Sequence, residues 1–243
     1  VDNDIIITIS NFFALGKLSK AKSQPKFHLK IDTGMHRQGF YPEEIQKAAK
    51  QIRNPLRQSS GQAPSEIRNS LKGIYTHFAS AKDLNYPSFT DLQLEQLKRA
   101  ITALEREGFK NLKKHAAATA GTLIGNQYHL DIVRIGIGLY GLWPSKELET
   151  QLGNKIKLKP VLKWRALISE VKKIKKGDYI GYDLTERASR NSIMAIVPIG
   201  YWHGLPRALS SVGEFWLKKH PARILGRISM DLVAIDVTGI DCR

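Results

Sequence analysis

One run of residues combines types that rarely share a buried strand: Asp131-Ile132-Val133-Arg134-Ile135-Gly136-Ile137-Gly138-Leu139-Tyr140-Gly141. Its apolar, β-branched character, bounded by turn residues, predicts a buried strand. Arg134 stands in the middle, and a guanidinium cannot shed its charge on burial, so it needs a partner at the strand end. The glycines after it are expected to leave backbone N–H groups open to a closely approaching anion. The plain alternative is an arginine paired with a structural carboxylate. Other candidates carry similar alternatives: His77 as a structural strand histidine, Tyr182 as a tyrosine at a sheet edge, and Lys30 as a solvent-facing lysine.

The elements that must position these groups alternate in the first part of the chain. Short strands are predicted at 5–9, 27–32 and 73–78, around His115 and through Arg134, with a polar loop around Ser59-Ser60-Gly61. A Lys-rich helical segment follows the first strand. Pro42 opens a helix carrying Ile45, Ala48, Ala49 and Ile52. The clearest helix runs over 91–107, where Leu94, Leu97, Ile101 and Leu104 recur at spacings of three and four before Gly108. Alternation of this kind implies β/α units on a parallel sheet. Five such units precede Pro144, where a complete eight-unit barrel needs roughly 200 to 250 residues. From about Lys157 the pattern changes to short strands at 161–171, 178–182, 192–199, 215–217, 223–228 and 232–237, without helices. The expectation is an α/β fold: a partial (β/α)8 TIM-type barrel over 1–150, then an all-β domain over 151–243.

Composition bounds the function. The 243 residues carry 38 Lys and Arg against 22 Asp and Glu, a formal charge of +16. These cations are scattered and lack zinc-finger spacing or aromatic-interleaved basic motifs. A solvated basic surface that steers anionic ligands is expected, not nucleic-acid binding. No apolar run approaches the ~18 residues of a membrane span, and the first residues do not read as a signal peptide. The lone Cys242 forms no internal disulfide, which fits a cytoplasmic setting.

Several strand ends resemble, in order, bacterial alanine racemases. They are Lys30-Ile31-Asp32-Thr33-Gly34-Met35-His36-Arg37, Tyr75-Thr76-His77-Phe78-Ala79, His115-Ala116-Ala117-Ala118-Thr119, and Val133-Arg134-Ile135-Gly136-Ile137 through Tyr140-Gly141-Leu142. Gly181-Tyr182, Pro198-Ile199-Gly200-Tyr201 and Gly226-Arg227-Ile228-Ser229-Met230-Asp231 complete the set. The family's cofactor-binding lysine motif does not occur here, and the five units match its fourth to eighth. The chain is therefore read as an internal fragment.

The resemblance implies interconversion of L- and D-alanine by two-base proton transfer on pyridoxal 5′-phosphate, supplying D-alanine for peptidoglycan, in a homodimer with shared active sites. The pyridoxal ring absorbs the charge left when the α-proton departs. One base would be the absent lysine, and the other Tyr182 from the partner subunit. Arg134 would face the pyridine nitrogen, with His77 relaying between it and Tyr182. Thr119, Gly136 and Ile137 would hold the phosphate. Arg37, Met230 and Asp231 would bound the substrate, and Lys30 matches a lysine that some members carry as a carbamate. No metal is implied. This chain departs from the family at His36 and Asp183, where glycines are usual, at Ala118-Thr119 for Asn-Ser, and at Trp202-His203 for Ala-Asp. A racemase of serine or of broad specificity, or a degenerate barrel without catalysis, remains open at this point.

Overall fold

A computed structural model describes residues 4–21, 23–53 and 65–242. The polar loop expected around Ser59-Ser60-Gly61 lies outside them. The chain forms two compact units that divide between Leu162 and Lys163.

The first unit is built on five parallel strands in sequential order: β1 (Ile7–Ile9), β2 (Phe27–Lys30), β3 (Leu71–Tyr75), β4 (Lys113–Ala118) and β5 (Ile132–Arg134). Helices α1 (Phe12–Leu18), α2 (Ile45–Arg53), α3 (Ser65–Ser70), α4 (Ser88–Arg106), α5 (Thr119–Ile124) and α6 (Lys146–Leu152) alternate with or follow them. Asn11 starts α1 by accepting the Ala14 N–H, and Pro42 sits in the 3-10 turn that leads into α2. Leu94, Leu97, Ile101 and Leu104 of α4 are buried, as their spacing requires.

Side chains alternate across a strand. Phe27, Leu29, Ile31 and Ile74 therefore join Leu15, Ile52, Leu97 and Leu104 in one helix-backed core. The opposite face carries Thr8, His28, Lys30, Tyr75, His77, His115 and Arg134.

The run through Arg134 is not the continuous buried strand its composition suggests. Only Ile132–Arg134 pairs, and a 3-10 turn follows at Ile137–Tyr140 with Ile137, Leu139 and Tyr140 exposed. Among the described residues β5 pairs only with β4. At Gly138 a Cβ would meet Thr119 Cγ2 at 2.7 Å, and this close approach holds the turn against α5.

The second unit is antiparallel. Strands β6 (Glu170–Ile174), β9 (Ser192–Val197), β10 (Glu214–Leu217), β11 (His220–Leu225) and β12 (Val233–Asp236) order as β10-β11-β12-β9-β6, with a small hairpin of β7 (Tyr179–Ile180) and β8 (Glu186–Arg187). Ala195, Val197, Ile224, Val233 and Ile235 fill its core. The strand expected at 161–171 begins only at Glu170 and runs on to Ile174; Ser169 already donates its N–H to Ile196 O, whereas 161–168 join no ladder among the described residues and Val161, Leu162 and Leu167 are exposed. The division falls later than the expected 150/151 boundary. Val161 donates its N–H to Tyr140 O, and Gly141, at φ 75°, packs against the backbone of Lys159 and Pro160. These contacts tie 153–162 to the first unit.

Candidate active site

A cleft of about 490 Å³ opens on the polar face of the parallel sheet, a size typical of small-molecule sites. Lys30, Arg37, His77 and Arg134 line it together. Arg134 ends β5 and spends its donors on four acceptors: Thr76 O (2.9 Å), Ala116 O (2.9 Å), His77 Nδ1 (3.1 Å) and His115 Nδ1 (2.5 Å). Its guanidinium also lies over the Tyr75 ring at 5.0 Å. No carboxylate acts on it among the described residues. Burial lowers its pKa, yet a guanidinium stays charged at neutral pH. The result is a fixed cation without an anion of its own among the described residues.

The surrounding groups stay neutral or are themselves cationic. Burial first, then Arg134, Arg37 and Lys30, holds His77 below the usual imidazole range. His115 is pushed down to about 3 by burial, Arg134 and His28. Lys30, only 5% exposed, donates Nζ to Gln38 O at 2.5 Å, and its burial lowers its pKa against the opposing pull of Asp32.

Asp32 is already committed. Its carboxylate accepts the N–H groups of Gly34, Met35, His36 and Arg37 at 2.9–3.0 Å. Burial would raise this carboxyl, but those four donors more than offset it and its pKa is lowered. They curl the loop that presents Arg37, which returns to the sheet through the Ile31–Phe40 bridge. His36 takes φ 52° in that curl, a left-handed conformation that glycine adopts without strain and His adopts more readily than most residues. The family's usual glycine there thus has a backbone reason.

A buried network fixes the strand ends. Gln93 donates to Thr33 Oγ1 and His77 O and accepts from Ala79 N–H, and Thr33 and Thr76 share a 2.7 Å hydroxyl contact. At the β5 turn the geometry corrects the reading of open glycine N–H groups. Gly136 and Gly138 both donate to Thr119 Oγ1, at 3.1 and 3.3 Å. Accepting both bonds leaves the Thr119 hydroxyl its own proton to donate, and the Ile137 N–H stands in the first turn of the 3-10 segment, where it has no intrahelical acceptor.

Tyr182, Met230 and Asp231 belong to the second unit and are exposed. Tyr182 stands between Gly181 at φ 76° and Asp183 at φ 62°. Asp183, another position where the family favours glycine, keeps the left-handed backbone and pairs with Arg227 at 3.0 Å.

His115 and Tyr75 stand within the motifs of the resemblance, and His28 lies outside them. The available signal was period two: Thr8, His28 and Lys30, Tyr75 and His77, and His115 fall on the sheet face turned away from the apolar core.

The family model of the alanine racemase N-terminal domain matches residues 1–144, and that of the C-terminal domain matches 161–243. The chain belongs to the alanine racemase family. It is 39% identical over 227 residues to alanine racemase of Leptospira interrogans, covering 92% of this chain and 55% of that one. Among solved structures, alanine racemase from Streptomyces lavendulae superposes with a TM-score of 0.84 at 28% identity, over 98% of this chain and 60% of that one. The Bartonella henselae alanine racemase, with covalently bound pyridoxal phosphate, matches with a TM-score of 0.79 at 28% identity, over 99% and 62%. The chain thus spans somewhat more than half the length of its alanine racemase relatives. Among the described residues no helix is long and apolar enough to cross a membrane, and no three metal-ligating side chains cluster.

Proposed function

We propose that these residues belong to a pyridoxal-phosphate-dependent alanine racemase that works as a cytoplasmic homodimer and supplies D-alanine for peptidoglycan. The observation that carries this reading is Arg134, a cation held by four acceptors on a cleft wall and, among the described residues, neutralised by no carboxylate. The residues present fit the cofactor. Arg134 would face the pyridine nitrogen, while the Thr119 hydroxyl and the Ile137 N–H would meet the phosphate. When bound, the cofactor supplies an electron sink for the charge developed at the α-carbon.

The chain's own residues supply orientation and proton transfer. Arg37 offers a planar fork to the substrate carboxylate, on a loop pinned by Asp32. Arg134 can only donate, so it meets the lone pair of His77 Nδ1 and leaves the His77 proton on Nε2, free to hold a phenolic oxygen. Tyr182, contributed across the dimer with Met230 and Asp231 beside the substrate, takes and returns the α-proton on one face. The lysine that resembles the second base in the family has no counterpart among these 243 residues. A carbamate on Lys30 would reverse its charge beside Arg37.

The test is a coupled D-alanine assay on the full-length protein containing these residues, with L-serine in a parallel arm. Turnover of L-alanine well above L-serine is expected. Preference for serine would make this a relative of different specificity, and no turnover of either would leave a non-catalytic barrel.

A further inference from the structure

Behind Arg134 runs a second row of imidazoles. His115 Nε2 lies 2.8 Å from His28 Nδ1, and His28 is half-buried on β2. The His28 ring lies against Gly73, where a Cβ would come within 2.7 Å of Cε1 and Nε2. His115 is stacked on Tyr75, with ring centres 4.5 Å apart and planes 8° from parallel, and Tyr75 OH is 3.0 Å from Thr8 Oγ1.

The protons along this row follow from Arg134. A guanidinium has no acceptor, so His115 Nδ1 must present its lone pair. His115 is neutral, with a pKa near 3, and its one proton therefore sits on Nε2. That proton is donated to His28 Nδ1, and His28, itself held down by burial, keeps its proton on Nε2.

We infer that His28 is a positioning residue, one that locks the tautomer and ring orientation of His115 and through it the direction of the Arg134 guanidinium. Without an acceptor at His28, the buried His115 Nε2–H loses the one partner it has among the described residues. The ring then gains by turning or by moving its proton to Nδ1. Either change sets a donor against the Arg134 N–H groups or breaks their contact. Arg134 would pivot away from the aim set by Thr76 O, Ala116 O and His77 Nδ1. The catalytic consequence rests on the proposed racemase reading, whereas the tautomer itself does not.

The experiment uses full-length protein with ¹⁵N-labelled histidine, free of cofactor for ring-nitrogen NMR and loaded for kinetics. His28→Asn places an amide oxygen near the Nδ1 position. His28→Gln is equally polar but carries its amide to the Nε2 position, and His28→Leu has no acceptor. Wild type and His28→Asn should show His115 protonated on Nε2 alone. His28→Gln and His28→Leu should show a mixed or Nδ1-protonated signal, with turnover about 10-fold lower, the effect of one buried hydrogen bond, and unchanged cofactor content. An unaltered His115 signal in both Gln and Leu variants overturns the inference even if the wild type racemises alanine. Equal losses in the Asn and Gln variants, with falling cofactor content, reduce His28 to a packing residue. If the Leu variant does not fold, the Asn and Gln pair decides. A wild type without turnover fails the racemase reading and leaves the tautomer result standing.

Discussion

On the proposed racemase reading, Arg134 and Tyr182 carry the chemistry one residue at a time. Four acceptors in fixed directions suit a five-donor planar fork, and lysine brings only three donors around a point charge. In full-length protein, Arg134→Lys should lower kcat by roughly 10²-fold while the cofactor stays bound, measured by kinetics beside absorbance spectra. Clean cofactor loss with normal turnover on reconstitution would contradict this role. Tyr182→Phe removes only a hydroxyl from an exposed ring, so folding should survive. Net racemisation should drop about 10²- to 10⁴-fold. Solvent deuterium should still wash into D-alanine far better than into L-alanine, since one base remains on its own face. Equal loss for both isomers would assign Tyr182 a structural part. The third expectation at this scale concerns acid. His115 titrates near 3 in the native state against 6.5 ordinarily, so between those values the unfolded chain binds a proton that the native chain refuses. Its stabilising effect is complete above 6.5 and falls as pH drops through that window, by at most about 1.4 kcal/mol per unit. His28 and His77 are shifted in the same direction. Urea midpoints measured from pH 7 to pH 4 should decline, and His115→Asn should flatten the decline.

At the scale of the element, the 32–40 loop is held from its own first residue. Asp32 receives four consecutive backbone N–H groups, and Gly39 packs so tightly on the Ile31 and Asp32 backbone that a Cβ has no room. Asp32→Ala strands those donors and should cost about 2 to 4 kcal/mol of stability. Because Arg37 rides on this loop, KM for alanine should rise more than kcat falls, and Asp32→Asn, which keeps one acceptor oxygen, should be milder. Thermal melts and steady-state kinetics separate the two effects. A fall in kcat at constant KM would show that the loop serves something other than substrate binding.

For the whole molecule, the parallel sheet is the governing fact. Such sheets normally have both faces covered, and here helices cover one while the other bears His28, Lys30, Tyr75, His77, His115 and Arg134. Among the described residues β1 and β5 each pair on one side only. Expressed by itself, the 243-residue chain should associate through those edges and show no sustained production of D-alanine. Light scattering, circular dichroism and the coupled assay check this. Steady turnover by the purified chain would refute the placing of the second base outside these residues.

What the sequence determined by itself was the alternation of elements, the class of each unit and the segments that resemble alanine racemases, because period, turn residues and motif order are local properties. Helix α4 was legible from Leu94, Leu97, Ile101 and Leu104, and Lys30, His77 and Arg134 from their motifs. Other features depended on neighbours distant in the chain. The 131–141 run looks like continuous strand, yet only Ile132–Arg134 pair with β4 before the chain turns at Ile137–Tyr140, and 161–168 looks like strand although the ladder with β9 takes up only from Ser169. Gly136 looks like an open donor until Thr119, seventeen residues earlier, accepts its N–H. His28 and His115 are 87 residues apart, and only the parallel register of β2, β3 and β4 brings their nitrogens to 2.8 Å. Residue type states what a side chain can donate or accept, and the tertiary structure decides which group is there to meet it.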